Sequence, residues 1–325
     1  MATRPTPTAI RTATTEAHQR YQGLTEGANA SYIPVLARVP PERFGVVVMT
    51  ADGQSAESGD TRSEFAIESI SKVFTLARAL DELGAQTVLE KIGDNPTGES
   101  FSSVHALVIH QGKPLNPFVN AGALATVSLV PASSADQRWE KILQTMCAFA
   151  GRKLEVMDEV YRSEAATNQH NRALAWLLDS SHTLYGDPME VTDVYTRQCS
   201  VGLTAYDLAV MGATLAAGGI NPITGRRAVE ADHVPRILAE MTMNGLYDNT
   251  GTWQYQVGLP AKSGVGGGIV AVVPGRLAIA AFSPPLDDFG NSVRAQHAIR
   301  HITNALGLNL FDPPEARSAS QGDGT

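Results

Sequence analysis

Cysteine is nearly absent: the 325 residues hold two, Cys147 and Cys199, far apart and with no metal-type spacing around either. A disulfide framework is therefore excluded, and the expectation is a cytoplasmic protein whose thiols stay free and buried. Aromatic residues make up only 6% of the chain, and no run of Lys and Arg interleaves with them. With a net charge of −8, that leaves no basis for a nucleic-acid partner. No apolar stretch reaches the ~20 residues of a membrane span; the longest candidate, residues 269–282, is cut by Pro274, Gly275 and Arg276. The opening Met-Ala-Thr-Arg-Pro-Thr-Pro lacks the apolar core of a signal peptide, so no leader is expected. There is no internal repeat. What is present, 43% apolar and 18% charged residues, fits a globular chain of enzyme size, as one large domain or two lobes sharing a cleft.

Within it, residues 65–80 stand out. Ile70, Val73, Phe74, Ala77 and Leu80 recur at helical spacing, and Ile67, Leu76 and Ala79 fill the other directions. A helix apolar nearly all round is buried between layers. Ser69 and Lys72 sit in that setting three residues apart, on one helix face. A buried lysine is costly unless it is paired or loses its proton, and losing the proton makes it a base. Ser69-x-x-Lys72 thus reads as an activated nucleophile. The plainer alternative, a Ser cap and a snorkelling Lys, is weakened because no Glu or Gln completes a capping box after Ser69.

The remaining chain places this stretch. A tail and lead-in helix (9–21) occupy residues 1–25. A hairpin is expected at 44–58 around Asp52-Gly53, and a third strand at 63–67. From 83 to 242 the signals are helical: 138–149 stopping at Gly151, 164–178 as one helix, 204–217 begun by Thr204, and 235–243. Strands return at 261–264, 268–274 and 276–282, the last two joined by a two-residue Pro-Gly turn, and a helix at 293–306 closes the fold. Residues 311–325 have few apolar side chains and are expected to be disordered. The predicted class is α+β: a mixed antiparallel sheet lobe (26–82 and 243–310) and an all-helical lobe (83–242), with Ser69 near their junction.

Other chemistry tests negative. Residues 259–264 lack the glycines of a phosphate loop, and Ile269 occupies the last glycine position of a dinucleotide fingerprint. His297 and His301 are four apart on a helix but lack companion ligands, so no metal is expected. Lys262-Ser263-Gly264 is the better partner, because a strand glycine allows backbone to approach a ligand closely. A Ser-x-x-Lys helix together with a Lys-Ser/Thr-Gly strand is the signature of the serine β-lactamase and penicillin-binding superfamily.

Within that superfamily the chain resembles the serine-dependent glutaminases. The resemblance runs from about Tyr32 to Val293. It rests on Tyr32-Ile-Pro-Val-Leu-Ala, Gly59-Asp-Thr, Ser69-Ile-Ser-Lys72 and Asn116-Pro-Phe-Val-Asn-Ala-Gly122. Further on come Ser163-Glu164 with Asn171-Arg172, Tyr195 before Cys199-Ser200, Gly245-Leu-Tyr-Asp248, residues 257–265, Phe282-Ser-Pro-Pro-Leu-Asp and Gly290-Asn-Ser-Val293. It implies a β-lactamase/DD-peptidase-like fold and a single catalytic domain over 26–310. It also implies hydrolysis of the side-chain amide of L-glutamine to glutamate and ammonia, with no metal or organic cofactor, in a homodimer or homotetramer.

By position, Ser69 resembles the family nucleophile, Lys72 its base and Tyr247 the tyrosine sharing proton transfer. The backbone N–H groups of Ser69 and Val265 match the oxyanion donors. Tyr32, Glu68, Asn120, Glu164, Asn171 and Tyr195 match substrate positions, with Glu164 assigned to the α-ammonium from its charge; Lys262, Ser263 and Gly264 support the cleft. The chain departs from the family at Glu68, where Gln is usual. An ionised Glu only accepts hydrogen bonds, so a weaker or more pH-dependent glutamine KM is expected. Two other readings stand: a penicillin-recognising or esterase-like hydrolase of the superfamily, and a binding homologue without turnover. The amino-acid-binding set argues against the first, and the presence of both Ser69 and Lys72 against the second.

Overall fold

The computed structural model describes residues 5–313; most of the tail expected to be disordered, from residue 314 on, lies outside the described residues. Helix α1 (Pro7–Tyr21) begins where Thr6 accepts a hydrogen bond from the Ala9 N–H, with Pro7 at the first helical position. Strands β1 (Gly45–Thr50) and β2 (Ser55–Gly59) form the expected hairpin. The third strand expected at 63–67 is β3 (Phe65–Ala66), and the helix expected to follow it opens with a separate 3-10 turn (Glu68–Ile70) before α2 (Ser71–Leu83). Helices α3 (Ala85–Lys91), α4 (Val104–Ile109), α5 (Asn120–Leu129) and α6 (Ala135–Ala150) follow, and α6 stops at Gly151 as expected.

After β4 (Glu155–Val156), the helix expected over 164–178 proves to be two, α7 (Asp158–Thr167) and α8 (Gln169–Ser180). They break at Asn168, whose Nδ2 donates to Thr196 Oγ1 at 3.0 Å. A short amide that bonds elsewhere competes with helix continuation, and helical periodicity does not register that. Thr196 belongs to α9 (Pro188–Cys199), which leads through β5 (Val201–Leu203) into α10 (Ala205–Ala216), opened by a Thr204/Asp207 capping box. Helices α11 (Val234–Asn244) and α12 (Thr250–Gln256), strands β6 (Ala261–Ser263), β7 (Gly268–Val273) and β8 (Leu277–Phe282), and helix α13 (Val293–Ala305) complete the order. The β7–β8 connection has three residues between the paired Val273 and Leu277, not two.

The main sheet is antiparallel in the order β2-β1-β8-β7-β6. Alternate residues of its central strands feed two cores. Val46, Val48, Ile269, Ala271, Ile279 and Ala281 face α1 and α13, whereas Val47, Met49, Val270, Val272, Ala278 and Ala280 face the helical body. Burial on both faces explains why β7 and β8 read as unbroken apolar runs. Helix α10, inside the stretch expected as the helical lobe, packs on β1, β7 and β8. The expected third strand, β3, does not join this sheet; it forms a small one in the order β3-β5-β4. Phe65 stacks on Phe282 at 4.2 Å between ring centroids, tying the two sheets together beside α2.

Candidate active site

β3 pairs with β5 through Phe65 and Ala66, and the Ile67 N–H extends that ladder to Val201 O at 2.9 Å. The chain then turns sharply. Glu68 takes φ 51°, and the 3-10 turn brings Ser69 to the wall of a cavity of ≈ 290 Å³. Across that cavity Tyr247 begins a second 3-10 turn at φ 54°. Non-glycine residues in the left-handed region cost of order 1–3 kcal/mol and cluster at functional sites, held there by the surrounding fold. Ser69 therefore lies just before α2 rather than on its face, and its hydroxyl caps no helix. It is hydrogen-bonded to Tyr247.

The end of β6 lies directly against this turn. A Cβ on Gly264 would come within 2.7 Å of Ile67 O and 3.3 Å of Glu68 Cβ. Only glycine permits that approach, and the next residue, Val265, lines the cavity together with Ser69.

Lys72, in the first turn of α2, is 1% exposed. Its Nζ donates to Phe118 O at 2.9 Å and to Asn120 Oδ1 at 2.8 Å. Burial pushes the ammonium down to about 8, against the opposing pull of Cys199, Glu68 and Glu164. The loop presenting Phe118 O is fixed by Asn116, whose Oδ1 accepts from the N–H groups of Phe118 and Val119. Asn120 passes the network on: its Nδ2 donates to Asn171 Oδ1 at 3.0 Å, and Tyr195 Oη approaches its Oδ1 at 3.4 Å.

Two buried carboxylates face the same space. Glu68 and Glu164 are 3% and 6% exposed, and each leaves one oxygen without a hydrogen-bond partner, Oε1 and Oε2 respectively. Burial, with Glu164 as its charged neighbour, pushes Glu68 well above the usual carboxylate range. Burial raises Glu164 to about 8, opposed by Lys72 and a hydrogen bond with Ser200. A concave site with convergent polar groups and mutually perturbed titrations has the marks of a reactive centre.

Of the residues singled out in the sequence, Tyr32, Glu68, Ser69, Asn120, Glu164, Asn171, Tyr195, Tyr247 and Val265 line this one cavity. Tyr32 stands at the mouth, 59% exposed. Lys72, Lys262, Ser263 and Gly264 lie behind the lining. Lys262 Nζ donates to Gly245 O at 2.9 Å and Ser263 O at 2.8 Å and sits 4.3 Å from the Tyr247 ring centroid. Burial, with Lys72 nearby, holds its ammonium well below the usual lysine range. Tyr247 Oη donates to Ser263 O at 3.4 Å, so Lys262 and Ser263 brace the tyrosine from behind.

The glutaminase family model matches residues 27–311. The chain belongs to the glutaminase family. A curated glutaminase of Brucella canis is 59% identical over 93% of this chain and 96% of its own length. One of Mycobacterium ulcerans is 56% identical over 94% and 95%. Among solved structures, the probable glutaminase YbaS superposes with a TM-score of 0.94 at 53% identity, covering 95% of this chain and all of that one. The Bacillus subtilis glutaminase YbgJ, solved as a covalent complex with 5-oxo-L-norleucine, gives 0.85 at 31% identity over 93% and 99%. The β-lactamase-like α+β fold expected from the two lysine motifs goes with this family.

The cavity of this glutaminase-family chain also holds residues that sequence reasoning did not select, among them Phe101, Asn168, His170 and Cys199. Cys199 had a signal, since it follows Tyr195 by one helical turn on α9 and so shares its face. Phe101, whose ring lies 4.4 Å from that of Tyr247, sits outside any helix or strand and had none.

Proposed function

We propose that this chain, a glutaminase, hydrolyses the side-chain amide of L-glutamine through an ester on Ser69. The observation that carries the reading is Lys72: an ammonium fully enclosed, hydrogen-bonded to Asn120 and Phe118 O, held near 8, and one turn from a serine bonded to Tyr247. Ser69 Oγ attacks the amide carbon as its proton passes to Lys72. The oxyanion that forms is met by the backbone N–H groups of Ser69 and Val265. Tyr247, within reach of Ser69, delivers a proton to the departing nitrogen and is reprotonated with the proton that Lys72 took, ammonia leaves, and the Ser69 ester remains. Water then adds to the ester carbon as neutral Lys72 takes its proton, that proton returns to Ser69 Oγ as the C–O ester bond breaks, and glutamate is released.

Glu164 and Glu68 each present an unpartnered carboxyl oxygen to the α-ammonium, whose arrival favours their ionisation, while Asn120, Asn171, Tyr195 and Tyr32 offer donors for the α-carboxylate. Residues 26–310 act as the single catalytic domain in this reading, in a cytoplasmic homodimer or homotetramer. Apolar side chains exposed on α4 and α8, such as Val108 and Trp176, are available for a copy-to-copy contact.

The test is ammonia release from glutamine, with asparagine and nitrocefin run beside it. Wild type releases ammonia from glutamine, and Ser69→Ala loses turnover while still binding glutamate. Unchanged turnover in Ser69→Ala ends the proposal, and nitrocefin hydrolysis without glutamine hydrolysis assigns the site to the wider superfamily.

A further inference from the structure

At the back of the cavity three side chains converge for which glutamine hydrolysis alone gives no full account. One ligand-type atom from each of Glu68, Glu164 and Cys199 lies within 4.8 Å of the others, and all three residues are buried. They come from separate elements: the 3-10 turn after β3, helix α7, and the last residue of α9. One oxygen of each carboxylate has no hydrogen-bond partner although it is out of contact with solvent. A buried carboxylate oxygen without a donor is costly, and a cation is what satisfies two such oxygens at once. One occupant is the substrate ammonium. The thiol makes a second possible, because an ammonium gains little from sulfur whereas a borderline-soft metal ion does.

We propose that Glu68, Glu164 and Cys199 form an inhibitory binding site for a thiophilic divalent ion, Zn²⁺ above all, that excludes glutamine from the cavity. Zinc takes carboxylate oxygen at ~2.0–2.2 Å and thiolate sulfur at ~2.3 Å, which sets tetrahedral ligand atoms about 3.5 Å apart. The three side chains therefore close by roughly 1 Å around the ion, a movement within rotamer adjustment. The fourth position opens to the cavity and holds water. On binding, the Cys199 S–H bond breaks and an S–Zn bond forms, and the thiol proton, with any proton held by the Glu68 and Glu164 carboxyl groups, leaves to solvent, with no change of oxidation state. The Lys72 ammonium, held on Phe118 O and Asn120 Oδ1, weakens the site without occupying it. Magnesium and calcium, which want six or more oxygen ligands, find too few here.

The test uses the full-length enzyme. Zinc should inhibit competitively with glutamine, whereas magnesium at the same concentration should not. Cobalt(II), a spectroscopic substitute, should give a thiolate-to-metal charge-transfer band that glutamate abolishes. In Cys199→Ser that band should vanish and the zinc inhibition constant should rise about tenfold or more, since even outer ligands of metal sites are worth ~10–100-fold. Cys147→Ser, whose Sγ instead accepts the Leu154 N–H outside the cavity, should keep both. Non-competitive zinc inhibition, or a cobalt band that survives in Cys199→Ser, overturns the proposal by moving the metal elsewhere. Because the band is read without turnover, a wrong acyl-enzyme mechanism does not mimic either outcome.

Discussion

Gly264→Ala probes how Ser69, the proposed nucleophile, is held. The new methyl would sit 2.7 Å from Ile67 O, 3.2 Å from Ile70 Cγ1 and 3.3 Å from Glu68 Cβ. The first contact is with backbone and cannot be relieved by a side-chain rotation, so the 3-10 turn and the end of β6 must part by roughly half an ångström. Overpacking of this kind costs typically ~1–3 kcal/mol. For a chain of this length that lowers Tm by roughly 1.5–4.5 °C. The larger effect should be kinetic, because Ser69 and the Val265 N–H sit on the two segments being separated. A misplacement of 1 Å costs about 10²-fold, and half of that distance points to about tenfold in kcat with a smaller change in KM. Steady-state ammonia release and thermal unfolding on the same preparation measure both. Gly251→Ala is the control: its Cβ meets nothing within 4 Å, and it should be neutral or slightly stabilising. A Gly264→Ala enzyme with lowered Tm but wild-type kcat would refute the reasoning, since the close approach would then serve packing alone.

Lys72 acts as a base only when neutral, and its pKa is pushed down to about 8, so kcat/KM should climb as pH rises through that value. A rate that is flat or falling across it contradicts the assignment. Glu68 lies beside Glu164, the side suited to the α-ammonium. Its ionisation should therefore strengthen glutamine binding, the reverse of the weakening expected from the sequence. Burial and Glu164 hold the Glu68 carboxyl well above the usual carboxylate range, so the glutamine KM values of wild type and Glu68→Gln should converge toward acid pH, and wild type should bind more tightly as pH rises. Parallel profiles sink that reading. Glu240, buried in α11 and accepting a hydrogen bond from Asn244 at 3.0 Å, is raised by burial to about 7. The folded state holds this proton more tightly than the unfolded chain, so stability is lost as pH rises from the ordinary carboxylate value through about 7. Glu240→Gln should gain of order 1–3 kcal/mol against urea above that window and nothing below it; an equal gain at all pH values would mean another cause.

Much of this was legible in the chain itself. Helical and two-residue periods are local, so the hairpin, the long helices and the strands β7 and β8 could be read from patterning, and ordered motifs carried the family. Local signals failed where a distant partner decides. The helix over 164–178 is interrupted because Asn168 finds Thr196 on α9, and the strand expected at 63–67 takes as its partner β5, far along the chain. The same holds for the site. The residue types proposed for the chemistry follow from the sequence, since a buried lysine must be paired or neutral wherever it lies. Which oxygens hold Lys72, that Glu68 faces Glu164 and Cys199, and how closely Gly264 presses on the turn of Ser69 depend on segments far apart in the chain. Contact distance and burial, which set electrostatic energies and pKa values, exist only once those segments have packed.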